Sequence, residues 1–241
     1  MIINNNALPD FSRTELLLGA GSLRTLSAAR VFVFGIGGVG SYCAEALARA
    51  GIGNLVFIDS DTVESSNINR QLIALTSTVG KYKAELMKSR ALDINPDACV
   101  TAICKFFNAE NAGEFDLSGA DYIVDAIDSV PSKLLLIETA KKSGIPIISC
   151  MGAGNKLDPT KFVVSDIENT AVCPLAKVIR KALRERGITG VKVVYSTEPP
   201  KKQNFSAQVK PLTASAPFVP GVAGLIIAGE VIKDICSIKE N

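Results

Sequence analysis

Short, uniformly apolar runs alternate with longer amphipathic stretches along the first two thirds of the chain. VFVFG at 31–35, NLVFID at 54–59, CVTAI at 99–103, YIVDAI at 122–127 and PIISC at 146–150 are each five or six residues long. A run this short, bounded by glycine, asparagine or proline, predicts a strand covered on both faces. The stretches between them carry helical periodicity. One spans 38–50 and stops at Gly51 and Gly53; another spans about 81–94 and stops at Asn95-Pro96; a third spans 131–143 with proline at an early position. Ahead of the first strand, 12–29 reads as helical, broken by Gly19 and Gly21, and the first ten residues are polar. Strands alternating with helices predict an α/β fold: a Rossmann-like, doubly wound, mostly parallel sheet with right-handed crossovers and helices on both faces.

The texture changes after residue 150. MGAGNKLDPT is a glycine-rich turn segment, KFVVSDI and VKVVYS read as strands, and 173–186 reads as a helix with Pro174 at its first position and Gly187 as its stop. STEPPKKQNF and KPLTASAPFVP read as loops, and 221–235 closes the chain as an apolar helix. No internal repeat is visible. A nucleotide-binding half, 12–150, is therefore expected to continue into a C-terminal sheet extension, 151–241, within one domain over 1–241. The longest apolar stretch, 218–227, contains Pro220 and is shorter than the roughly 20 residues a membrane span needs. No signal-peptide pattern opens the chain, so a cytoplasmic protein without a membrane partner is expected.

Composition narrows the chemistry. At 47% hydrophobic residues the 241-residue chain can bury a full core. It has no histidine, which removes Ser-His-Asp and Cys-His catalysis and every histidine metal site. The six cysteines (Cys43, Cys99, Cys104, Cys150, Cys173 and Cys236) contain no C-x-x-C pair, so no structural zinc is expected, and they are too sparse for a disulfide framework. The net charge of +2 hides an asymmetry: segment 177–210 holds nine basic residues and two acids, +7, leaving −5 for the rest. In this basic arm Lys177, Lys181 and Arg184 recur at helical spacing opposite Leu175, Ile179, Ala182 and Leu183. Such a stripe is a solvated helix face, a footprint for RNA phosphates, or a dock for an acidic carrier protein.

The candidate chemistry begins at Gly35-Ile-Gly37-Gly38-Val-Gly40, directly after a strand and at the start of a helix. Glycines there permit a tight turn, close approach of backbone to phosphate, and tight helix–strand packing. Asp59 ends the next strand, 19 residues after Gly40, where an acid binds a ribose hydroxyl. Taken alone this pattern suggests NAD. Further residues argue against it: Asn67, Arg70 and Gln71 follow the acid, Lys81 and Lys83 open the next helix, and Asp125 and Asp128 end the fourth strand. Cations and an acid converging on a strand-end crevice suit a triphosphate with magnesium. The plainer alternative is that Arg70 and Lys83 are solvated charges and Asp128 a helix cap.

GIGGVGS, LVFIDSDTVESSNINRQ, the second lysine of VGKYKAE, and DAIDS resemble, in order, the ubiquitin-activating-enzyme-like superfamily of adenylating proteins over about 12–155. The resemblance implies that Gly35, Gly37, Gly38 and Gly40 hold ATP, Asp59 its ribose, and Asn67, Arg70, Gln71 and Lys83 its phosphates. It implies that Asp128 binds Mg2+ and that Arg13 reaches across from a neighbouring subunit of a homodimer. DAIDSVPSK, GAGNKLDPT, Cys173-Pro174-Leu175-Ala176 and VVYSTEPP carry a narrower similarity to the tRNA threonylcarbamoyladenosine dehydratase family. That family uses ATP to close the threonylcarbamoyl group of a tRNA adenosine into a ring, which implies tRNA as partner and Arg70, Lys83, Asp128 and Arg13 as catalytic residues. Where some of its members have a cysteine before the last helix, this chain reads TASAPFVP. Cys173, before Pro174 at a helix N-terminus, is either a packing residue or a thioester- or persulfide-forming nucleophile. Two rival functions stay open: an adenylating activator of a ubiquitin-like sulfur carrier, and a non-catalytic nucleotide-binding adaptor in sulfur relay with sulfur-transfer proteins as partners.

Overall fold

The computed structural model describes residues 9–201 and 213–238. The strands are β1 (Arg30–Phe34), β2 (Asn54–Ile58), β3 (Cys99–Ile103), β4 (Tyr122–Asp125), β5 (Ile147–Cys150), β6 (Phe162–Asp166) and β7 (Lys192–Ser196). They form one seven-stranded sheet in the order β3-β2-β1-β4-β5-β7-β6. Every pairing is parallel except that of β6 with β7, so the C-terminal extension adds one parallel strand and an antiparallel edge. The strand order reverses between β1 and β4, which opens a crevice at their carboxyl ends.

The helices are α1 (Ser12–Leu18), α2 (Ser22–Ala28), α3 (Gly40–Arg49), α4 (Lys83–Ile94), α5 (Val130–Lys142), α6 (Pro174–Glu185) and α7 (Phe218–Ile235). Alternate residues of β1 feed opposite faces of the sheet. Val31 and Val33 join a core with Leu47 of α3, Met87 of α4 and Ile227 of α7; Phe32 and Phe34 join another with Ile137 of α5 and Ile179 of α6. Both faces are thus covered, which is why the strands read as unbroken apolar runs. Helix α7 lies against α3 so closely that a Cβ on Gly224 would run into the Val39 carbonyl, and Pro220 reaches the loop at Gly38.

Three expected helix boundaries shift. Helix α3 opens at Gly40 because 37–39 form the turn. Helix α4 opens at Lys83 because Tyr82 is held extended by a bridge to Thr62. Helix α7 begins three residues earlier than expected, inside the segment read as a loop. Pro220 is tolerated there because an N–H in the first turn has no intrahelical acceptor. Residues 1–8 of the polar start and loop residues 202–212 lie outside the described residues. Among the described residues no helix is long and apolar enough to cross a membrane.

Candidate active site

A cleft of about 600 Å³ opens at the carboxyl ends of β1, β2, β4 and β5. Its floor is the turn after β1. Gly35 has φ +88° and packs on the Ala126 backbone, where a Cβ would not fit, and a Cβ on Gly40 would collide with the Gly35 carbonyl. Both glycines therefore serve the tight strand-to-helix turn. Gly37 is different: a Cβ there would meet only the Gln71 amide nitrogen, at 3.8 Å, so its missing side chain leaves room inside the cleft. That space is suited to a phosphate approaching the backbone at the start of α3.

Asp59 joins the loops that follow β1 and β2. One carboxylate oxygen accepts the Ile36 amide at 2.6 Å and the other the Asp61 amide at 2.8 Å. Burial pushes its pKa up, against the opposing pull of those amides and of Lys83. Lys83 is buried and forms a 2.8 Å ion pair with the exposed carboxylate of Asp61. One Arg70 nitrogen donates to the Ser66 carbonyl at 3.0 Å and to Asn69 at 2.9 Å, and Asn69 is tied in turn to the Ser215 carbonyl. Gln71 is buried in the cleft wall, and its side-chain oxygen has no hydrogen-bond partner among the described residues. Asp128 lines the cleft as an exposed carboxylate. The structure thus brings Gly35, Gly37, Gly38, Asp59, Arg70, Gln71, Lys83 and Asp128 to one cleft.

Some expected residues stand elsewhere. Gly40 lies beneath the cleft. Asn67 is outside the lining: its side-chain oxygen accepts the Glu64 amide at 3.2 Å, closing its own turn. Asp125 does not share the crevice with Asp128. It is fully buried in a 2.8 Å ion pair with Lys133, accepts the Ser149 hydroxyl at 2.6 Å, and receives the Ile127 amide at 3.1 Å. Its task is to hold the β4–α5 loop that carries Asp128. Arg13 is exposed on α1, outside this cleft, beside Leu16 and Leu17, each 85% exposed.

The opposite wall comes from the C-terminal half. Cys173 is buried at the start of α6 and faces Gly152, on which a Cβ would stand 3.3 Å from its sulfur. The turn before it holds Val172 at φ +63°, strained for a β-branched residue, with the Cys173 amide bonded back to the Ala171 carbonyl. Cys150 also lines the cleft, but burial pushes its thiol up to about 12. Lys156, which the sequence reading missed, is buried in the same wall. On α6, Lys177, Lys181 and Arg184 are exposed while Ala176, Ile179 and Leu183 are buried. Three other cations of the basic arm have internal partners: Arg180 caps the Thr170 carbonyl, Lys192 pairs with Asp234, and Arg186 lies 3.8 Å from Glu138. Lys202 and Lys210 lie outside the described residues. Among the described residues, no group of three or more acidic, cysteine or histidine side chains could by itself hold a metal ion.

The sequence model of the ThiF family matches residues 11–241. The chain belongs to the ThiF family. Within this family it is 45% identical over 241 residues to the tRNA threonylcarbamoyladenosine dehydratase of Bacillus subtilis, covering 95% of each chain. It is 41% identical over 196 residues to the Escherichia coli dehydratase, covering 78% of this chain and 73% of that one. Its fold matches the crystal structure of an E. coli tRNA N6-threonylcarbamoyladenosine dehydratase in complex with ATP, with a TM-score of 0.86 and 37% identity, covering 94% of this chain and 93% of that chain. This ThiF-family chain therefore has relatives of nearly its own length with a single named activity.

Proposed function

We propose that this ThiF-family protein is an ATP-dependent tRNA threonylcarbamoyladenosine dehydratase. It adenylates the carboxylate of the threonylcarbamoyl group and lets the substrate close on itself. The observation that carries the reading is the cleft itself, in which an open backbone cradle at Gly37 faces Arg70, Lys83 and Asp128. The carboxylate attacks the α-phosphorus of ATP and pyrophosphate leaves. A substrate nitrogen then attacks the acyl carbon, loses its proton and expels AMP. Gly37 and Gly38 present backbone to the phosphates, Asp59 takes the ribose, and the Arg70 guanidinium and Lys83 ammonium oppose charge on the phosphates. Gln71 offers a buried amide to the same ligand.

Magnesium fits at Asp128. Asp128 is a cleft-lining carboxylate, and Mg2+ is ordinarily held by one or two carboxylates together with phosphate oxygens and waters. Bound there, it would neutralise phosphate charge. Ring closure is intramolecular, so positioning replaces a protein nucleophile, which is consistent with a histidine-free chain. On this reading Cys173 shapes the wall. The stripe Lys177, Lys181 and Arg184 is the tRNA footprint, and the exposed α1 face carrying Arg13 meets a second copy in a cytoplasmic homodimer. The continuous sheet across 12–150 and 151–241 supports one adenylating domain.

ATP–pyrophosphate exchange tests the reading, run with tRNA bearing threonylcarbamoyladenosine, with a ubiquitin-like carrier protein, and with neither. Exchange only with the tRNA is expected. Exchange with the carrier protein alone would favour a sulfur-carrier activator, and tight ATP binding without exchange an adaptor.

A further inference from the structure

Three lysines are buried among the described residues: Lys83, Lys133 and Lys156. Two have a carboxylate at 2.8 Å, Asp61 for Lys83 and Asp125 for Lys133. Lys156 is 4% exposed and has none; its hydrogen bond goes to the Glu198 main-chain carbonyl. The Glu198 carboxylate is already engaged, accepting the Leu157 amide at 3.1 Å and the Asp158 amide at 2.9 Å. An ammonium has three donors, and a buried charge without a partner is costly. Burial lowers its pKa, partly offset by Cys173 and Glu198.

The segment is built to hold this side chain in place. Asn155 adopts φ +59°. Its carbonyl accepts the Lys201 amide at 2.7 Å, its amide donates to the Ala214 carbonyl at 2.7 Å, and its side chain accepts the Ala214 amide at 2.9 Å. Asn155, next to Lys156, is thus clamped between two other chain segments in a wall of the cleft. Among the described residues no carboxylate forms an ion pair with the Lys156 ammonium, which leaves it open to an anion entering the cleft.

We infer that Lys156 is the binding group for the carboxylate that the enzyme activates. This rests on the proposed function and assigns the acyl end of its site. Two anions could supply the charge: an ATP phosphate or the substrate carboxylate. The carboxylate is favoured by position. The phosphate cradle follows β1, whereas Lys156 follows β5, which is two strands away and so about 10 Å across the sheet. Its neighbour across the wall, Cys173, caps α6, whose exposed face carries Lys177, Lys181 and Arg184. Pro174 and Leu175, in the first turn of α6, line the cleft together with Lys156, so the helix that carries the basic stripe begins in the same wall. The ammonium also offsets the repulsion that a carboxylate meets on approaching a triphosphate.

The experiment compares affinity for tRNA bearing threonylcarbamoyladenosine with affinity for the same tRNA lacking the threonylcarbamoyl group, in the presence of a non-hydrolysable ATP analogue. Wild type should prefer the carboxylate-bearing tRNA by about tenfold, the scale of one charge-assisted contact. Lys156→Met should lose that preference with unchanged affinity for the ATP analogue and an undiminished melting temperature, since a buried charge without a counter-ion is removed. Lys156→Gln keeps a donor for the Glu198 carbonyl, should behave likewise, and decides the matter if the methionine variant fails to fold. Retention of the wild-type preference in a folded variant overturns the assignment. Loss of ATP-analogue affinity also overturns it, showing a phosphate ligand instead. A wild type with neither the preference nor tRNA-dependent pyrophosphate exchange overturns the proposed function, and the assignment with it.

Discussion

Gly37 and Gly40 belong to one glycine run but are constrained by different neighbours. Gly37→Ala meets only the Gln71 amide, so folding stability should change by less than about 0.5 kcal/mol while ATP affinity falls, because the added methyl occupies the cradle. Gly40→Ala forces a methyl against the Gly35 carbonyl and should cost about 1–3 kcal/mol of stability. Denaturant melts and ATP calorimetry on the two variants separate these roles. Arg70→Ala, Lys83→Ala and Asp128→Ala should each lower pyrophosphate exchange by about 10²–10³ with the fold intact, the scale of losing one group that opposes developing charge. Near-normal exchange at saturating ATP would remove that residue from the site. In Lys83→Ala the partner Asp61, with a 65% exposed side chain, returns to water, while buried Asp59 loses the pull of the ammonium and its pKa rises further. The glycine turn, Asp59, Arg70, Gln71, Lys83 and Asp128 were legible from residue type and spacing, the family resemblance supplied their roles, and the wall built from residues 150–156 was not legible. Asn67 shows the limit of that reading: asparagine serves equally as a ligand and as a turn cap, and here its side-chain oxygen is spent on the Glu64 amide, outside the cleft lining. Lys156 and Lys133 were illegible because nothing local marks a lysine as buried. Strands distant in sequence bury it.

Helix α6 carries the clearest prediction about a single element. Its buried edge (Ala176, Ile179, Leu183) holds it to the sheet, leaving Lys177, Lys181 and Arg184 free of that packing. Changing those three together to Glu should leave stability and ATP affinity as they are, weaken tRNA binding, and make its salt dependence shallower. Binding isotherms at two or more salt concentrations check this, and equal affinity in the two proteins would make the stripe an ordinary solvated face. At the head of the same helix, Cys173→Ser should retain ring closure, because the substrate supplies its own nucleophile. A variant that still exchanges pyrophosphate yet yields no cyclic product would show a covalent step at that thiol. The strands and helices were readable because each is a complete period of apolar residues between strong stop signals. The start of α7 was not, since Pro220 argues against a helix interior but is harmless in a first turn.

One sheet binds the nucleotide half to the C-terminal extension, and its stability should carry an acid signature. Glu45 of α3 is where this is most direct. Burial pushes its carboxyl up, but Arg90 and Arg49 more than reverse this, leaving the pKa below the ordinary 4.5. A depressed carboxylate contributes stability above its unfolded pKa and loses it as pH falls toward the folded value. Thermal melts should therefore show wild type losing stability below about pH 4.5, with that part of the loss absent in Glu45→Gln. The sheet's strand order and its antiparallel edge were only partly legible, since pairing is decided by long-range contact and not by any one strand. The cleft and the basic face of α6 belong to one molecule, and the proposed function requires a chemical change in the substrate. The decisive measurement is mass spectrometry of nucleosides from tRNA bearing threonylcarbamoyladenosine after incubation with the purified protein, ATP and magnesium. The account predicts a product lighter by one water, formed with AMP and pyrophosphate in equal amounts. ATP turnover that leaves the nucleoside mass unchanged would contradict it.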